Sequence, residues 1–431
     1  MAFYRDRQLT HLTSSISVFA ITIGLVVGQS ATQKSLAQTS TTPAPSGVTS
    51  INGAGGGSIN TLFVGTGTTS PYAPQGSWFN TYGVGNPTTL NPPGPVNPLV
   101  TFRYAAINSS VGVTAFFTQT PPPATGATIN PPVSFADTDD PITGTEKLST
   151  GSNTGTPIQV PVITYGVALA YNPTGLNVTG GIKLSRATYL GIFNGTITNW
   201  NDAKIKADNG GRVISAVSKP IVVVRRSDNS ANTFTLSSNL KAAFGATWNR
   251  GVGEISIAQA GGIPNPLPAN TVVWPANFQF ASGSKGVATK IKTTAGAIGY
   301  VDNSTRLANS LQAAVLQNKA GTYNPISPTS IRNAFVGATD QDASPRRIKL
   351  VVTDPTAANA YPLVSASYLL FDDKYANVKV ANGIKGFIGW ALGTTTADNI
   401  ATARGYAPLP AAIKTLSKGV VNTYVNDALN P

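Results

Sequence analysis

The chain has 431 residues, which favours two domains or lobes over one, and its 41% apolar residues suffice for a core. Lys and Arg are scattered along it and give a net charge of +13, which favours a positive, anion-attracting surface over nucleic-acid binding. There is no cysteine, so disulfides and thiolate chemistry are excluded. The single histidine, His11, lies near the N-terminus. If that segment is removed, histidine-dependent catalysis and histidine zinc sites are excluded as well.

Residues 1–37 have the pattern of a secretory signal peptide. Basic residues precede a short apolar stretch at 16–27, and Ser35-Leu36-Ala37 is a small-x-small cleavage site. An uncleaved membrane anchor is the alternative, and the short apolar stretch disfavours it. Residues 38–50 are rich in Ser, Thr and Pro, which predicts a flexible leader. We therefore expect a soluble mature protein outside the cytoplasm.

Short predicted strands and polar turns follow one another from residue 51 to residue 141. Ser70, with a proline after it, predicts a helix cap. The strand at 100–104 leads to a small polar turn around Ser109 and then to a helix. A long surface loop is expected at 119–132. An apolar run then ends in three carboxylates, which by themselves suit either a metal site or a solvated turn: Asp137, Asp139 and Asp140.

Strands and helices alternate more regularly after residue 157. Apolar runs predict buried strands at 157–171, 222–224, 296–301 and 361–371. Apolar residues at helical spacing predict helices at 184–193, 235–244, 383–392 and 411–425, and a further helix is expected to start at Gly283. This alternation is typical of an α/β protein with a doubly wound sheet.

The segment 222–234 combines a buried strand, a run of small polar residues and the beginning of a helix. Such a turn binds oxyanions, because free backbone N–H groups and the positive end of the helix dipole face the ligand. Arg226 adds a planar, bidentate donor. The segment therefore predicts half of a phosphate site.

Residues 51–409 resemble the periplasmic phosphate-binding protein of bacterial phosphate ABC transporters. The family pattern Arg-x-Asp-Gly-Ser-Gly-Thr is matched by 226–232, which reads Arg-Ser-Asp-Asn-Ser-Ala-Asn, and the segments 190–202 and 286–301 match as well. Two glycines and a threonine of that pattern are replaced. The glycine-rich opening motif of the family is split by an insertion after Gly55. The resemblance is therefore to a divergent member.

The resemblance implies a phosphate site carried over position by position. Asp139 is implied to be the acceptor for the phosphate proton, and Asp228 to hold the guanidinium of Arg226 in place. The remaining residues are implied to be donors through hydroxyl, amide or backbone N–H groups. The implied phosphate-binding residues are Thr69, Ser70, Ser109, Asp139, Arg226, Ser230, Ala231 and Asn232.

The same resemblance implies a two-lobe periplasmic binding protein fold, each lobe a doubly wound sheet flanked by helices, with the ligand in the cleft between them. We expect lobe I at 51–161 and 348–431, and lobe II at 162–347. The implied function is high-affinity binding of inorganic phosphate in the periplasm and delivery to ABC transporter permease subunits. The implied protein is a monomer without metal or cofactor and meets the membrane only through the permease. Because arsenate has the protonation pattern of phosphate, the sequence leaves the choice between the two anions open.

Two other functions stay open. A binding protein of the same fold could sense or scavenge phosphate or other oxyanions without feeding a transporter. A phosphatase, lacking His and Cys, would need metal ions on Asp137, Asp139 and Asp140, and it is the least favoured reading.

Overall fold

A mixed β-sheet forms the centre of the computed structural model, which describes residues 47–65, 76–83, 96–119, 132–142, 157–255 and 271–427. The strands in these ranges are β1 (Thr49–Gly55), β2 (Val100–Ala106), β3 (Phe135–Thr138), β4 (Ile158–Tyr171), β5 (Lys183–Leu184), β6 (Val222–Arg226), β7 (Gln279–Ala281), β8 (Ala297–Asp302), β9 (Gln312–Ala313), β10 (Val315–Gln317), β11 (Tyr323–Asn324), β12 (Val364–Phe371), β13 (Lys374–Tyr375) and β14 (Asn426–Asp427). The main sheet has the order β2-β1-β3-β12-β4-β8-β6-β7, with β9 paired to β4.

Helices follow most of the strands. They are α1 (Asn60–Phe63), α2 (Trp78–Tyr82), α3 (Ser109–Thr118), α4 (Arg186–Asn194), α5 (Ala203–Asp208), α6 (Ala231–Phe244), α7 (Gly283–Thr293), α8 (Asn303–Ala308), α9 (Pro328–Ala334), α10 (Val378–Ala391), α11 (Thr395–Ala403) and α12 (Ala411–Tyr424). Within the described ranges, no helix has both the length and the apolar character that a bilayer span requires. The α/β fold class predicted from the sequence is confirmed.

Strand β4 joins two parts of the main sheet. All 14 of its residues are buried, as its continuous apolar run predicts. Its residues up to Gly166 pair with β12, and Val167 to Tyr171 pair with β8. We call β2, β1, β3, β12 and the first stretch of β4 the front part. The rear part consists of the second stretch of β4 with β8, β6, β7 and β9.

The parallel strands in each part direct their carboxyl ends to a common edge. In the front part β1 is parallel to β2 and to β3, and in the rear part β6 is parallel to β7 and to β8. In open α/β sheets, ligands bind outside the carboxyl ends of parallel strands. The loops after β1, β2, β3 and β6 are therefore the first places to look for a site.

Aromatic side chains fill the space between the front part and helix α10. The ring of Phe63 stacks on Phe79 at 4.5 Å between centroids and meets Phe387 edge-on at 6.3 Å. Trp78 is buried beside them, and its indole N–H donates to the backbone oxygen of Ala397 at 2.9 Å. This cluster ties the C-terminal helices to β1 and β2.

Most predicted elements are confirmed, among them β4, β6, α6, α7 and β8. The strand predicted at 361–371 begins only at Val364, because the N–H of Tyr361 donates to the backbone oxygen of Ser330 in α9 and Pro362 has no N–H to pair. Helices α9 and α11 were not predicted. The helix cap expected at Ser70 lies outside the described residues, as does most of the expected loop at 119–132. Helix α2 is capped by Ser77, whose hydroxyl accepts from the N–H of Asn80.

Two glycines within helices, one buried and one exposed, should respond oppositely to alanine. A Cβ on Gly112 of α3 would lie 2.2 Å from the backbone nitrogen of Gly55, whereas a Cβ on Gly419 of α12 would meet nothing within 4 Å. Gly112→Ala is expected to lower the free energy of unfolding by roughly 1–3 kcal/mol because α3 must move away from β1. Gly419→Ala is expected to raise it by up to about 1 kcal/mol. Urea unfolding of both variants checks this, and equal shifts would contradict the packing of α3 on β1.

Candidate anion-binding site

A small pocket lies where the loops after four strands meet. The front part contributes the connection after β1, the first turn of α3 and the residue that follows β3. The rear part contributes the end of β6 and the first turn of α6. The described residues that line the pocket are Gly57, Ser58, Asn108, Ser109, Asp139, Arg226, Ser230, Ala231 and Asn232.

The front part supplies small donors held close together. Asn108 caps α3 by accepting from the N–H of Val111 at 2.8 Å, which places the buried Ser109 at the first position of the helix. Gly56 lies directly behind, and a Cβ there would come within 2.9 Å of the Ser109 hydroxyl oxygen. The tight connection after β1 is what lets Gly57 and Ser58 reach the same pocket as Ser109.

Asp139 is the acceptor in the pocket. Its side chain is buried, and its Oδ2 accepts from the hydroxyl of Ser58 at 2.5 Å. Among the described residues, no hydrogen bond of good geometry reaches its Oδ1, although the hydroxyls of Ser367 and Tyr165 are close enough to lower the pKa of Asp139. Because buried polar atoms are almost always paired, this oxygen is available to a proton that a ligand brings.

A second carboxylate lies behind Asp139. Asp137 is fully buried and accepts from the hydroxyls of Ser367 at 2.6 Å and Tyr104 at 3.2 Å. Burial, and after it the charge of Asp139, raises the pKa of Asp137 well above its ordinary range. Burial also raises the pKa of Asp139 to about 6, against the hydrogen bond from Ser58, which lowers it. At neutral pH Asp139 is therefore ionised and able to accept.

The raised pKa of Asp139 predicts a stability gain on its removal. Between pH 3.8 and about 6 the folded protein holds a proton that the unfolded chain has lost, so stability falls as pH rises through this window. Above about pH 6, the ionised carboxylate of Asp139 lowers the free energy of unfolding by about 3 kcal/mol. Asp139→Asn should therefore make the ligand-free protein more stable at about pH 8, with little gain at about pH 4. Unfolding curves at both pH values check this, and the same gain at both would contradict the shift.

Arg226 is the strongest donor in the pocket. It ends β6, is 6% exposed, and makes a two-bond contact with Asp228, one bond being 2.7 Å from Nε to Oδ1. A third N–H donates to the hydroxyl of Ser284 at 3.2 Å. The guanidinium has five N–H donors, and the described residues leave two of them for a ligand.

The pair of Arg226 and Asp228 is ionised. Burial by itself would lower the pKa of Arg226, but the bonds to Asp228 outweigh it, and that pKa is raised above its ordinary value. Burial would likewise raise the pKa of Asp228, and the bonds from Arg226 lower it instead. The backbone N–H of Gly283 also donates to Asp228, at 3.0 Å. The guanidinium is thus charged and fixed in direction.

The beginning of α6 adds backbone donors. Ser230 caps the helix by accepting from the N–H of Asn232 at 3.2 Å, and its own hydroxyl proton stays available. Ala231 is the first residue of this 14-residue helix, so its N–H has no partner within the helix. The helix dipole adds a partial positive charge at the same point.

Asn232 behaves differently from the expectation that its side-chain amide donates to the ligand. Its Nδ2 donates to Ser284 at 3.1 Å and to Asp302 at 3.4 Å. Both amide protons are therefore used within the protein, and these bonds fix the first turn of α6. Its Oδ1 is buried and has no hydrogen-bond partner among the described residues.

The structure brings together most of the residues expected from the sequence. Ser109, Asp139, Arg226, Ser230, Ala231 and Asn232 line one pocket, and Asp228 lies behind Arg226. Thr69 and Ser70 lie outside the described residues.

Sequence reasoning missed Ser58 and the supporting Ser284. The signal for Ser58 was its place directly after the glycines that end β1. The signal for Ser284 was its place at the start of a predicted helix.

The chain is similar to several known proteins. A family model described as a PBP superfamily domain matches residues 38–395. The phosphate-binding protein PstS 3 of Mycobacterium leprae is 28% identical over 322 residues, 74% of this chain and 77% of that protein. The phosphate-binding protein PstS of Xylella fastidiosa is 26% identical over 278 residues, 64% of this chain and 69% of that protein.

Solved structures share the fold. A phosphate-binding protein from Stenotrophomonas maltophilia superimposes with a TM-score of 0.61 at 20% identity, over 89% of this chain and 97% of that one. The periplasmic phosphate-binding protein PfluDING, solved with bound phosphate, superimposes with a TM-score of 0.58 at 21% identity, over 86% of this chain and 93% of that one. These neighbours have the two-lobe fold that the sequence predicted. The chain belongs to the PBP superfamily.

Proposed function

We propose that this protein binds inorganic phosphate outside the cytoplasm and delivers it to the permease of an ABC transporter. The observation that carries the proposal is one pocket that combines a fixed, charged Arg226 with a buried Asp139 whose Oδ1 is unpaired among the described residues. Relatives named as phosphate-binding proteins, and a solved neighbour with phosphate bound, support the same ligand.

The donor set suits phosphate chemically. Near neutral pH phosphate keeps at least one P–O–H group, and its other oxygens only accept hydrogen bonds. Hydroxyls, backbone N–H groups and Arg226 supply donors for those oxygens, and Asp139 accepts the proton. Sulfate has no proton and would meet an unpaired carboxylate, so it is rejected. Arsenate has the protonation pattern of phosphate and would bind.

The proposed binding residues are Thr69, Ser70, Ser109, Asp139, Arg226, Ser230, Ala231 and Asn232, with Asp228 behind Arg226; Thr69 and Ser70 lie outside the described residues. We add Ser58, which supplies a hydroxyl of the kind expected from the family's opening motif. Lobe I is proposed at 51–161 and 348–431 and lobe II at 162–347. The change of partner along β4, from β12 to β8, supports this division. Hinge closure would then bring both groups of donors onto one ion.

The proposed location is the periplasm, reached through cleavage of a signal peptide after residue 37. The curated relatives are binding proteins, and we propose that this chain is likewise not an enzyme. Among the described residues, no group of three or more His, Cys, Asp or Glu side chains could hold a metal ion, so the metal-dependent phosphatase has no support there.

Binding, uptake and hydrolysis assays distinguish the proposed transport function from a sensing or scavenging protein and from a phosphatase. Phosphate titrated calorimetrically into the protein should bind one ion per chain, and uptake of labelled phosphate should fall in a strain that lacks the gene. Binding with unchanged uptake would favour the sensing or scavenging protein. Hydrolysis of a chromogenic phosphate ester, abolished by a chelator, would favour the phosphatase.

A further inference from the structure

The Tyr406 hydroxyl occupies a junction between the front and rear parts of the sheet. Its single proton is shared between the backbone oxygen of Ser58, in the connection after β1, and the hydroxyl oxygen of Ser304 in α8, which lies 2.8 Å away. Its oxygen lies 2.8 Å from the hydroxyl of Thr61 in α1, which can donate to it. The tyrosine is 1% exposed, so water does not compete for these bonds.

Ser58 on one side of this junction and Ser304 on the other are each hydrogen-bonded to a residue that connects to the pocket. On the front side, Ser58 donates through its own hydroxyl to Asp139 at 2.5 Å. On the rear side, Ser304 donates to Asp302 at 2.6 Å, and Asp302 accepts from the amide of Asn232 at 3.4 Å. A continuous hydrogen-bonded path therefore connects the acceptor side of the pocket to its donor side.

The segment that carries Tyr406 is held on both sides. Ala407 exchanges backbone bonds with Thr164 of β4 at 2.9 and 3.0 Å. Asn303, the first residue of α8, donates to the backbone oxygen of Gly405 at 2.9 Å. Gly405 has a φ of +85°, and a Cβ there would lie 2.6 Å from the Asn303 amide nitrogen, so this close approach requires glycine. The tyrosine is thus directed to the junction by the backbone around it.

We propose that Tyr406 is a positioning residue that latches the two parts of the protein closed over a bound phosphate ion. The inference rests on the proposed function. Tyr406 is not among the described residues that line the pocket, so it acts through Ser58 and Ser304 and not on the ion. Closure of a two-lobe binding protein is a shift between populations, and bonds made only in the closed state add to ligand affinity.

Tyr406→Phe tests the latch, because it removes only the hydroxyl. Phosphate affinity should fall by about tenfold, mainly through faster dissociation. The control is Tyr375→Phe, which removes another buried hydroxyl, one that donates to the backbone oxygen of Ser134 at 2.6 Å. The control should lower the unfolding temperature and leave phosphate affinity unchanged.

Stopped-flow measurements of phosphate dissociation and calorimetric measurements of phosphate affinity on both variants test the latch. Phosphate affinity of Tyr406→Phe within about twofold of the unmodified protein would overturn the latch. If that variant does not fold, Ser304→Ala breaks the same junction from the rear side and should show the same faster dissociation; unchanged dissociation there would overturn it too. An unmodified protein that binds no phosphate overturns the proposed function itself, a different result from a latch variant that binds normally.

Discussion

Arg226→Ala is expected to weaken phosphate binding by at least about a hundredfold. Two of the arginine's N–H donors are not used by the described residues, and each charge-assisted hydrogen bond to a ligand contributes roughly 1.5–3 kcal/mol. The substitution also leaves Asp228, now without its cation, close to the anion site. The variant loses the attraction of the Arg226 cation for phosphate and gains the repulsion of the Asp228 carboxylate. Both lower phosphate affinity, so this is the largest loss of affinity that we expect.

The adjacent Arg225 provides a control of equal charge. Its side chain stacks on Phe280 at 5.2 Å and donates to the backbone oxygen of Arg226, and it is not among the described residues that line the pocket. Arg225→Ala should therefore change phosphate affinity only slightly, through the net charge. Calorimetry on both variants checks the assignment, and equal losses of affinity would mean that Arg226 acts only through the general field of the protein.

Asp139→Asn is expected to remove the preference for phosphate over sulfate. In the unmodified protein, sulfate brings four oxygens and no proton to a buried, ionised carboxylate that already has one unpaired oxygen. The uncompensated acceptor costs roughly 1–3 kcal/mol or more, so the affinity ratio of phosphate to sulfate should drop by at least about tenfold in the variant. The asparagine amide can also donate to sulfate, which shifts the ratio further.

Competition titrations with both anions measure this ratio. Asp140→Asn is the matched control, since it removes a neighbouring carboxylate charge. Asp140 is not among the described residues that line the pocket, and its side chain accepts from the N–H of Ile255 at 2.9 Å. Its ratio should stay close to that of the unmodified protein. An Asp139→Asn variant that still excludes sulfate would show that the acceptor is another group.

The elements of the rear part could be predicted from the sequence because their signals are local. The apolar run of β4, the alternation of elements around β6 and the polar turn before α6 are each defined by neighbouring residues. The helix predicted at 235–244 begins earlier, at Ala231, because Ser230 caps it. The Arg226 donor was predicted from the same segment, whereas the role of Asp228 was implied by the family resemblance; in the structure Asp228 accepts two bonds from Arg226.

The front half of the pocket was harder to predict. The family motif after Gly55 is interrupted here, and the resemblance resumes it at Thr69-Ser70-Pro71, which lies outside the described residues. In the structure the chain turns immediately, and the two glycines after β1 bring Ser58 to Asp139 at a sequence separation of 81. That contact depends on the pairing of β1 with β3, which no local pattern specifies.

Contacts between distant segments could not be predicted at all. Tyr406 meets Ser58 across 348 residues of sequence, and Asp302 meets Asn232 across 70. Nothing in the residues around Tyr406 distinguishes it from an ordinary core tyrosine. Such positions become visible only when the sheet order is known, because the order decides which loops share an edge.

We propose that one pocket selects phosphate by combining the donor Arg226 with a single carboxylate acceptor, Asp139. The most direct measurement is a calorimetric titration of phosphate into the phosphate-free full chain, performed with and without a large excess of sulfate at neutral pH. We predict one site per chain with an affinity that sulfate leaves unchanged apart from a small ionic-strength effect. Binding that sulfate abolishes, or no binding of phosphate, would contradict the account.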